Sequence, residues 1–273
     1  MEWADRMNMA VRYIEDNLKS EIDYAELGKI TFSSSYHFQR MFSCMAGMPL
    51  SEYIRKRRMS LAATEILRGA RVIDVSLSFG YNSPTAFNRA FKSVHGVAPS
   101  ALRQGGVMVK LFPPITFRIT VKGAEEMNFR IEKREAFKIV GKSMEICHDI
   151  EKNHVIIPDM WDRLKADGTL ECLVDCVGVE PEGVLGVCSC NDDGPWTYTI
   201  GVSSDVEAEG LESFTIPAAT WAIFSGAGSG ISVQELEGRI VSEWLPASGY
   251  EYANLPDIEV YLDPDPSNTR YEV

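Results

Sequence analysis

The residues able to do chemistry fall into two groups. Near the C-terminal end, Ile258, Val260 and Leu262 alternate with Glu259, Tyr261 and Asp263. That period of two predicts a strand on which Glu259 and Tyr261 share one face. A carboxylate beside aromatic rings suits a lipophilic cation, because charge pairing and cation–π attraction act together. On the strand pattern alone, the solvent side of a half-buried strand is the better fit for Glu259. In the N-terminal residues 1–106 the other group is cationic and amide side chains, 14 Lys+Arg among them. Gln and Asn can pair with adenine edges and Arg with guanine edges, although a single surface Arg is ordinarily just solvated. The six cysteines, at 44, 147, 172, 176, 188 and 190, fall in apolar stretches without CxxC spacing. Neither metal nor cofactor is expected.

Helices with short turns must position the N-terminal group. Met9, Val11, Tyr13, Ile14 and Leu18 recur at helical spacing, and Asp23 with Glu26 forms a capping-box pattern opening a short helix. Ser34 or Ser35 caps the next helix, which runs to Gly47, and Pro49–Leu67 forms a longer one. Val72–Phe79 is a further short helix, and Ser83-Pro84 starts another that carries Phe87 and Phe91 and stops at Gly96. Two helix–turn–helix units, Tyr24–Gly47 and Val72–Gly96, thus flank a connecting helix. A pair of this kind can set two recognition helices into successive major grooves, about 34 Å apart.

The helical pattern ends at Gln104-Gly105-Gly106, which predicts a boundary between residues 1–106 and 107–273. Beyond it Ile115, Phe117, Ile119 and Val121 alternate like a strand that ends at Lys122-Gly123. Phe129, Ile131, Phe137, Ile139, Val140 and Gly141 are echoed by Phe214, Ile216, Trp221, Ile223, Phe224 and Gly226. Each set precedes a helix-like stretch, Ile157–Leu164 around Trp161 and Ile231–Leu245 around Trp244. Strand-like Val184–Cys190 and Trp196–Val202 follow the first, and Ile258–Leu262 the second. The duplication predicts an α+β domain of two similar halves with a cleft between them. Charge divides along the same line. Residues 1–106 hold 14 Lys+Arg and 10 Asp+Glu, a net of +4, whereas 107–273 hold 13 and 29, a net of -16. Only the first part suits a polyanion. No signal-peptide layout and no apolar run of membrane-spanning length occurs, so a cytoplasmic location without a membrane partner is expected.

The N-terminal residues resemble the AraC/XylS family, and more closely its Rob-type members, in which the DNA-binding region comes first. The match runs over about residues 6–103. It rests on Leu27-Gly28, Ser34–Phe42, Gly47, Tyr53-Ile54, Arg57-Arg58-Met59, Ile73-Asp74-Val75, Gly80-Tyr81, Ser83, Phe87, Arg89, Phe91-Lys92, Gly96, Pro99 and Arg103. Gly28 and Ser76 stand where the family usually has Ala, and Tyr81 where it has Phe. The resemblance implies base-reading positions at Tyr36, Gln39 and Arg40 in the first unit and at or beside Thr85, Asn88 and Arg89 in the second. Ser34, Ser83, Arg55 and Lys92 read as phosphate contacts.

Residues from about 127 resemble the gyrase-inhibitor-like effector domain of Rob and of multidrug-sensing regulators. Phe137–Gly141, Trp196–Val202, Ile216–Phe224, Glu243–Pro246 and Pro256–Tyr261 carry that likeness. It implies a cleft in which Glu259 meets a cationic ligand, lined by Tyr261, Trp196, Tyr198, Trp221 and Phe224. Trp161 and Trp244, on helix stripes, are assigned to packing. The expectation is therefore a non-enzymatic transcription regulator with double-stranded DNA and a small-molecule effector as partners, and RNA polymerase as a further candidate. The alternatives are a small-molecule hydrolase using Glu259 as a base, or an acidic module that binds a basic protein.

Overall fold

Apolar residues three and four apart give each N-terminal helix one inward stripe. In the computed structural model, which describes residues 3–104, 106–118, 126–147, 150–190, 195–206, 210–263 and 269–273, these stripes close around one another. Helix α1 (Trp3–Asp16) buries Met7, Ala10, Val11 and Ile14. Helix α2 (Tyr24–Thr31) starts at Asp23, whose carboxylate accepts from Ala25 N at 2.9 Å. Of the two candidate caps for α3 (Ser35–Ala46), the chain uses Ser34, whose Oγ accepts from His37 N at 3.2 Å. The long α4 (Leu50–Leu67) leads to α5 (Val72–Ser78) and α6 (Pro84–His95), then to a 3-10 turn (Pro99–Gln104). Ser83 caps α6 through Ala86 N at 3.4 Å, with Pro84 in the first turn where no donor is needed. The second helix–turn–helix closes on Met59, Ile66, Val75, Phe79, Phe87 and Phe91.

The segment after the 3-10 turn departs from expectation. Ile119 and residues 121–123 lie outside the described residues, as does Gly105. Ile115 and Phe117, expected on a strand, carry no regular secondary structure and pair with none of the described strands. Phe117 is instead buried against α3, edge-on to Phe42 at 5.8 Å. The compact units accordingly divide as Met1–Ile119 and Thr120–Val273, later than the 106/107 boundary. Apolar Val107, Val109 and Phe112 explain the difference, since all three pack on the helical core.

The second unit is built on an antiparallel sheet. Its elements are β1 (Phe129–Arg134), β2 (Phe137–Glu145), α7 (Ile150–Ala166), α8 (Thr169–Asp175), β3 (Val184–Ser189), β4 (Thr197–Ser203), β5 (Glu212–Ile216), β6 (Ala219–Gly228), α9 (Gly230–Arg239), a π-helical turn (Ile240–Trp244), α10 (Leu245–Ser248), β7 (Asp257–Tyr261) and β8 (Thr269–Glu272). The strands lie in the order β1-β6-β8-β7-β3-β4-β2-β5. The duplication is visible in that order: β6-β8-β7 on one side mirrors β2-β4-β3 on the other. The outer strands are exchanged, because β1 pairs with β6 although β2 follows it in sequence, and β5 pairs with β2 although β6 follows it. Strand β8 completes the second half. One sheet face buries Ile139, Leu185, Val187, Ile216 and Val260, with Phe137, Phe214, Trp221 and Ile258 packed on them. The opposite face carries Glu259.

Candidate functional site

Strand β7 alternates as its sequence demands, with Ile258 and Val260 in the core and Glu259 and Tyr261 together on the other face. Register then decides what meets the carboxylate. On β3, Gly186 pairs with Glu259, and on β4, Tyr198 pairs with Cys188 two residues along. Both tyrosines address one oxygen: Tyr261 OH donates to Glu259 Oε2 at 2.8 Å and Tyr198 OH donates to it at 3.1 Å. Above them Trp161 of α7 donates its indole N–H to Tyr198 OH at 3.2 Å and stands edge-on to the Tyr261 ring at 5.1 Å. Gly186 makes the room. A Cβ there would lie 2.2 Å from Tyr198 Oη and 2.7 Å from Glu259 Oε2.

Burial raises the Tyr198 hydroxyl well above the usual tyrosine range, and the Glu259 charge adds to it. Tyr261 is raised by the same two causes in the same order. Both phenols therefore keep their protons and act as donors to a carboxylate. Glu259 is half-buried among an indole and two phenol rings. That arrangement can hold a cation by charge while the ring faces add a further attraction. Among the described residues no group of three or more His, Cys, Asp or Glu is placed to hold a metal ion.

The structure divides the remaining expected lining residues. Trp196 is buried immediately before β4, two residues from Tyr198, where its carbonyl accepts from Ile146 N at 2.8 Å. Phe224 and Trp221 are three apart on β6, so they point to opposite faces. Trp221 lies in the apolar core behind the sheet, and the expectation that it shares a cleft with Glu259 is corrected. Phe224 is on the Glu259 side but sits in a separate aromatic cluster, 4.9 Å from Trp244 and 5.6 Å from Phe129. Two participants escaped the sequence reading. Trp161 was assigned to packing, yet its N–H joins the hydroxyl network. Tyr271 of β8 pairs with Tyr261 and covers Gly226, where a Cβ would be 2.6 Å from the ring. The alternation of β8 could have shown the second; nothing in the α7 stripe separated the first from a core residue.

The two helices expected to read DNA, α3 and α6, differ. On α6 the residues Thr85, Asn88, Arg89 and Lys92 are all exposed. Their spacing of three, four and seven places them on one face, opposite Phe87, Phe91 and Val94. Ser83 is exposed at the helix start, and so is Arg55 on α4. On α3, Ser34, Tyr36 and Gln39 are buried and Arg40 is half-buried. Gln39 belongs to the inward stripe with Ser35, Phe38 and Phe42, and Ser34 Oγ lies 2.8 Å from His37 Nδ1. The expected outward face of α3 is thus reduced to Arg40 in this conformation, whereas that of α6 is present in full.

Comparison with known proteins bears on both units. Residues 127–273 match the GyrI-like small molecule binding domain, and residues 27–105 match a helix-turn-helix domain. The HTH-type transcriptional activator AarP of Providencia stuartii is 36% identical over 92 residues, 33% of this chain and 68% of AarP. The regulatory protein SoxS of Salmonella typhimurium is 31% identical over 94 residues, 34% of this chain and 88% of SoxS. The chain spans 35% of YbfP, an HTH-type regulator of Bacillus subtilis, at 32% identity over 104 residues, 38% of this chain. Among solved structures, SAV2435 bound to tetraphenylphosphonium is similar with a TM-score of 0.46 and 20% identity, over 54% of this chain and 91% of that one.

Proposed function

We propose that this chain, which belongs to the GyrI-like small molecule binding family through residues 127–273 and carries an AraC-type helix-turn-helix DNA-binding domain before them, is a ligand-responsive transcription regulator. Its effector is a lipophilic cation, and Glu259 is the ionic anchor. The observation carrying this reading is one carboxylate that receives two tyrosine hydroxyls beneath an indole. Such a group is oriented before a ligand arrives, which lowers the cost of binding. The raised tyrosines keep their protons and serve as donors to the carboxylate. On the DNA side the exposed α6 residues Thr85, Asn88, Arg89 and Lys92 read or contact the duplex, with Arg40 contributing from α3. The regulator acts in the cytoplasm, with RNA polymerase among its partners.

Calorimetry with a tetraarylphosphonium cation and a neutral triarylphosphine oxide of similar bulk tests the anchor. Glu259→Gln keeps shape and removes charge. It should lower cation affinity by about 1.5–3 kcal/mol, the range for a charge-assisted contact, and spare the neutral compound. Equal loss for both, or none for either, would remove the anchor role.

A further inference from the structure

Residues 107–118 carry no regular secondary structure, yet they lie across both helix–turn–helix halves. The first part rests on the second half. Val107, Val109 and Phe112 pack against the cluster that includes Met59, Ile66, Phe87 and Phe91. Phe112 N donates to Ser60 Oγ of α4 at 2.9 Å, and the Arg57 guanidinium donates to Phe112 O. The Lys56 ammonium stands 5.2 Å above the Phe112 ring. The last part rests on the first half. Phe117 is buried against Phe42 of α3. The Asn8 carboxamide of α1 grips its backbone in both directions, accepting from Phe117 N at 2.8 Å and donating to Phe117 O at 3.0 Å. Between these ends Ile115 N donates to Tyr53 OH at 3.4 Å. The Tyr53 hydroxyl in turn donates to Glu15 at 2.7 Å, and the same carboxylate receives Arg57 Nε at 2.8 Å. A charged network linking α1 to α4 therefore lies beneath the segment.

We propose that residues 107–118 are a positioning strap that fixes the offset between the recognition helices α3 and α6. The physical reason is closure. Helix α4 joins the halves, with Lys19 standing 5.4 Å from the Phe79 ring, and a hinge at either end of α4 would let their separation vary. The strap is a further connection: at one end it packs Val107, Val109 and Phe112 on the cluster that includes Phe87 and Phe91 and is tied to Ser60 of α4, and at the other Asn8 of α1 holds it. A reader of two successive grooves needs that separation fixed near one helical turn, whereas contact with either half-site alone does not. Asn8 and Ser60 are thus positioning residues with no DNA contact of their own. The proposal rests on α3 and α6 both entering the duplex.

The test uses the full chain, as wild type, Asn8→Ala and Ser60→Ala, and selects from random-sequence duplexes longer than two helical turns. Amide hydrogen exchange over residues 107–118 reports the strap, and thermal melting reports the fold. Wild type should enrich two sequence blocks at a single spacing. Removing two hydrogen bonds in Asn8→Ala should speed exchange in the strap on the order of tenfold or more. Both blocks should persist, their spacing should spread by a base pair or more, and affinity for a duplex with one block should not change. Ser60→Ala, which releases the other end, should do the same and serves if Asn8→Ala does not fold. Faster strap exchange with the single spacing intact would overturn the positioning role. Unchanged exchange in both variants would overturn the anchors. A wild type that enriches only one block would instead remove the two-helix premise.

Discussion

Tyr198 makes the sharpest test of how the carboxylate is held. Tyr198→Phe keeps the ring and deletes a hydroxyl that accepts from Trp161 at 3.2 Å and donates to Glu259 at 3.1 Å. Both distances are at the long end of the ordinary range, so each bond belongs near the low end of its usual worth. That is about 0.5–1 kcal/mol for the neutral bond and about 1.5 kcal/mol for the one to a charged acceptor. A buried phenyl avoids desolvating a hydroxyl and offsets a little of this, leaving a net loss of about 2 kcal/mol. For a unit of this size that corresponds to a fall in melting temperature of about 4–8 °C. The measurement is a double-mutant cycle by chemical denaturation of the full chain, following the transition of the second unit. In the Glu259→Gln background the acceptor is neutral, so the loss from Tyr198→Phe should shrink by about 1 kcal/mol. An undiminished loss in that background would show that the hydroxyl is not bonded to the carboxylate charge. A loss below about 0.5 kcal/mol in the wild-type background would place the hydroxyl outside the network altogether.

Gly186→Ala should act on the same group from below. The new Cβ overlaps Tyr198 Oη and Glu259 Oε2, so about 1–3 kcal/mol of stability and most cation affinity should be lost, as read by melting and calorimetry. On the DNA side, Asn88→Ala should relax preference at one base pair by about 1–3 kcal/mol, whereas Lys92→Ala should weaken all sequences alike and lower the salt slope by about one. His95, whose Nε2 lies 3.0 Å from Met59 O, is buried against Phe91, and that burial holds it below the usual histidine range. A lowered folded value means the neutral form is favoured in the native state. Its contribution is therefore complete above the unfolded value near 6.5 and is lost as pH falls below it. His95→Phe should flatten that part of the first unit's stability profile between pH 7 and 5; an identical acid-side slope in both proteins would assign the loss elsewhere.

The N-terminal helices are legible in sequence because each is specified locally. Asp23, Ser34 and Ser83 satisfy the first N–H groups of their own helices, and the apolar stripes repeat within a single element. The duplicated halves were legible for a similar reason, since each strand's alternation is internal to it. The same rule of alternation separates Trp221 from Phe224, whose odd spacing on β6 forces them to opposite faces. The sequence also singled out Glu259 and its neighbour Tyr261, two residues apart on one strand. What it could not supply was register. Which residue of β3 and which of β4 lie beside Glu259 depends on pairings across 61 positions of chain, as in the bond from Tyr198. Only those pairings set Gly186 beneath the carboxylate and Tyr198 against it, and only the docking of α7 turned Trp161 from a stripe residue into a donor. The strap is the extreme case. Residues 107–118 have no period to read, because an irregular segment satisfying its backbone on Asn8, Ser60 and Tyr53 takes its hydrogen-bond partners from helices far away in sequence. Local patterns decide which elements form, and long-range contacts decide which side chains meet.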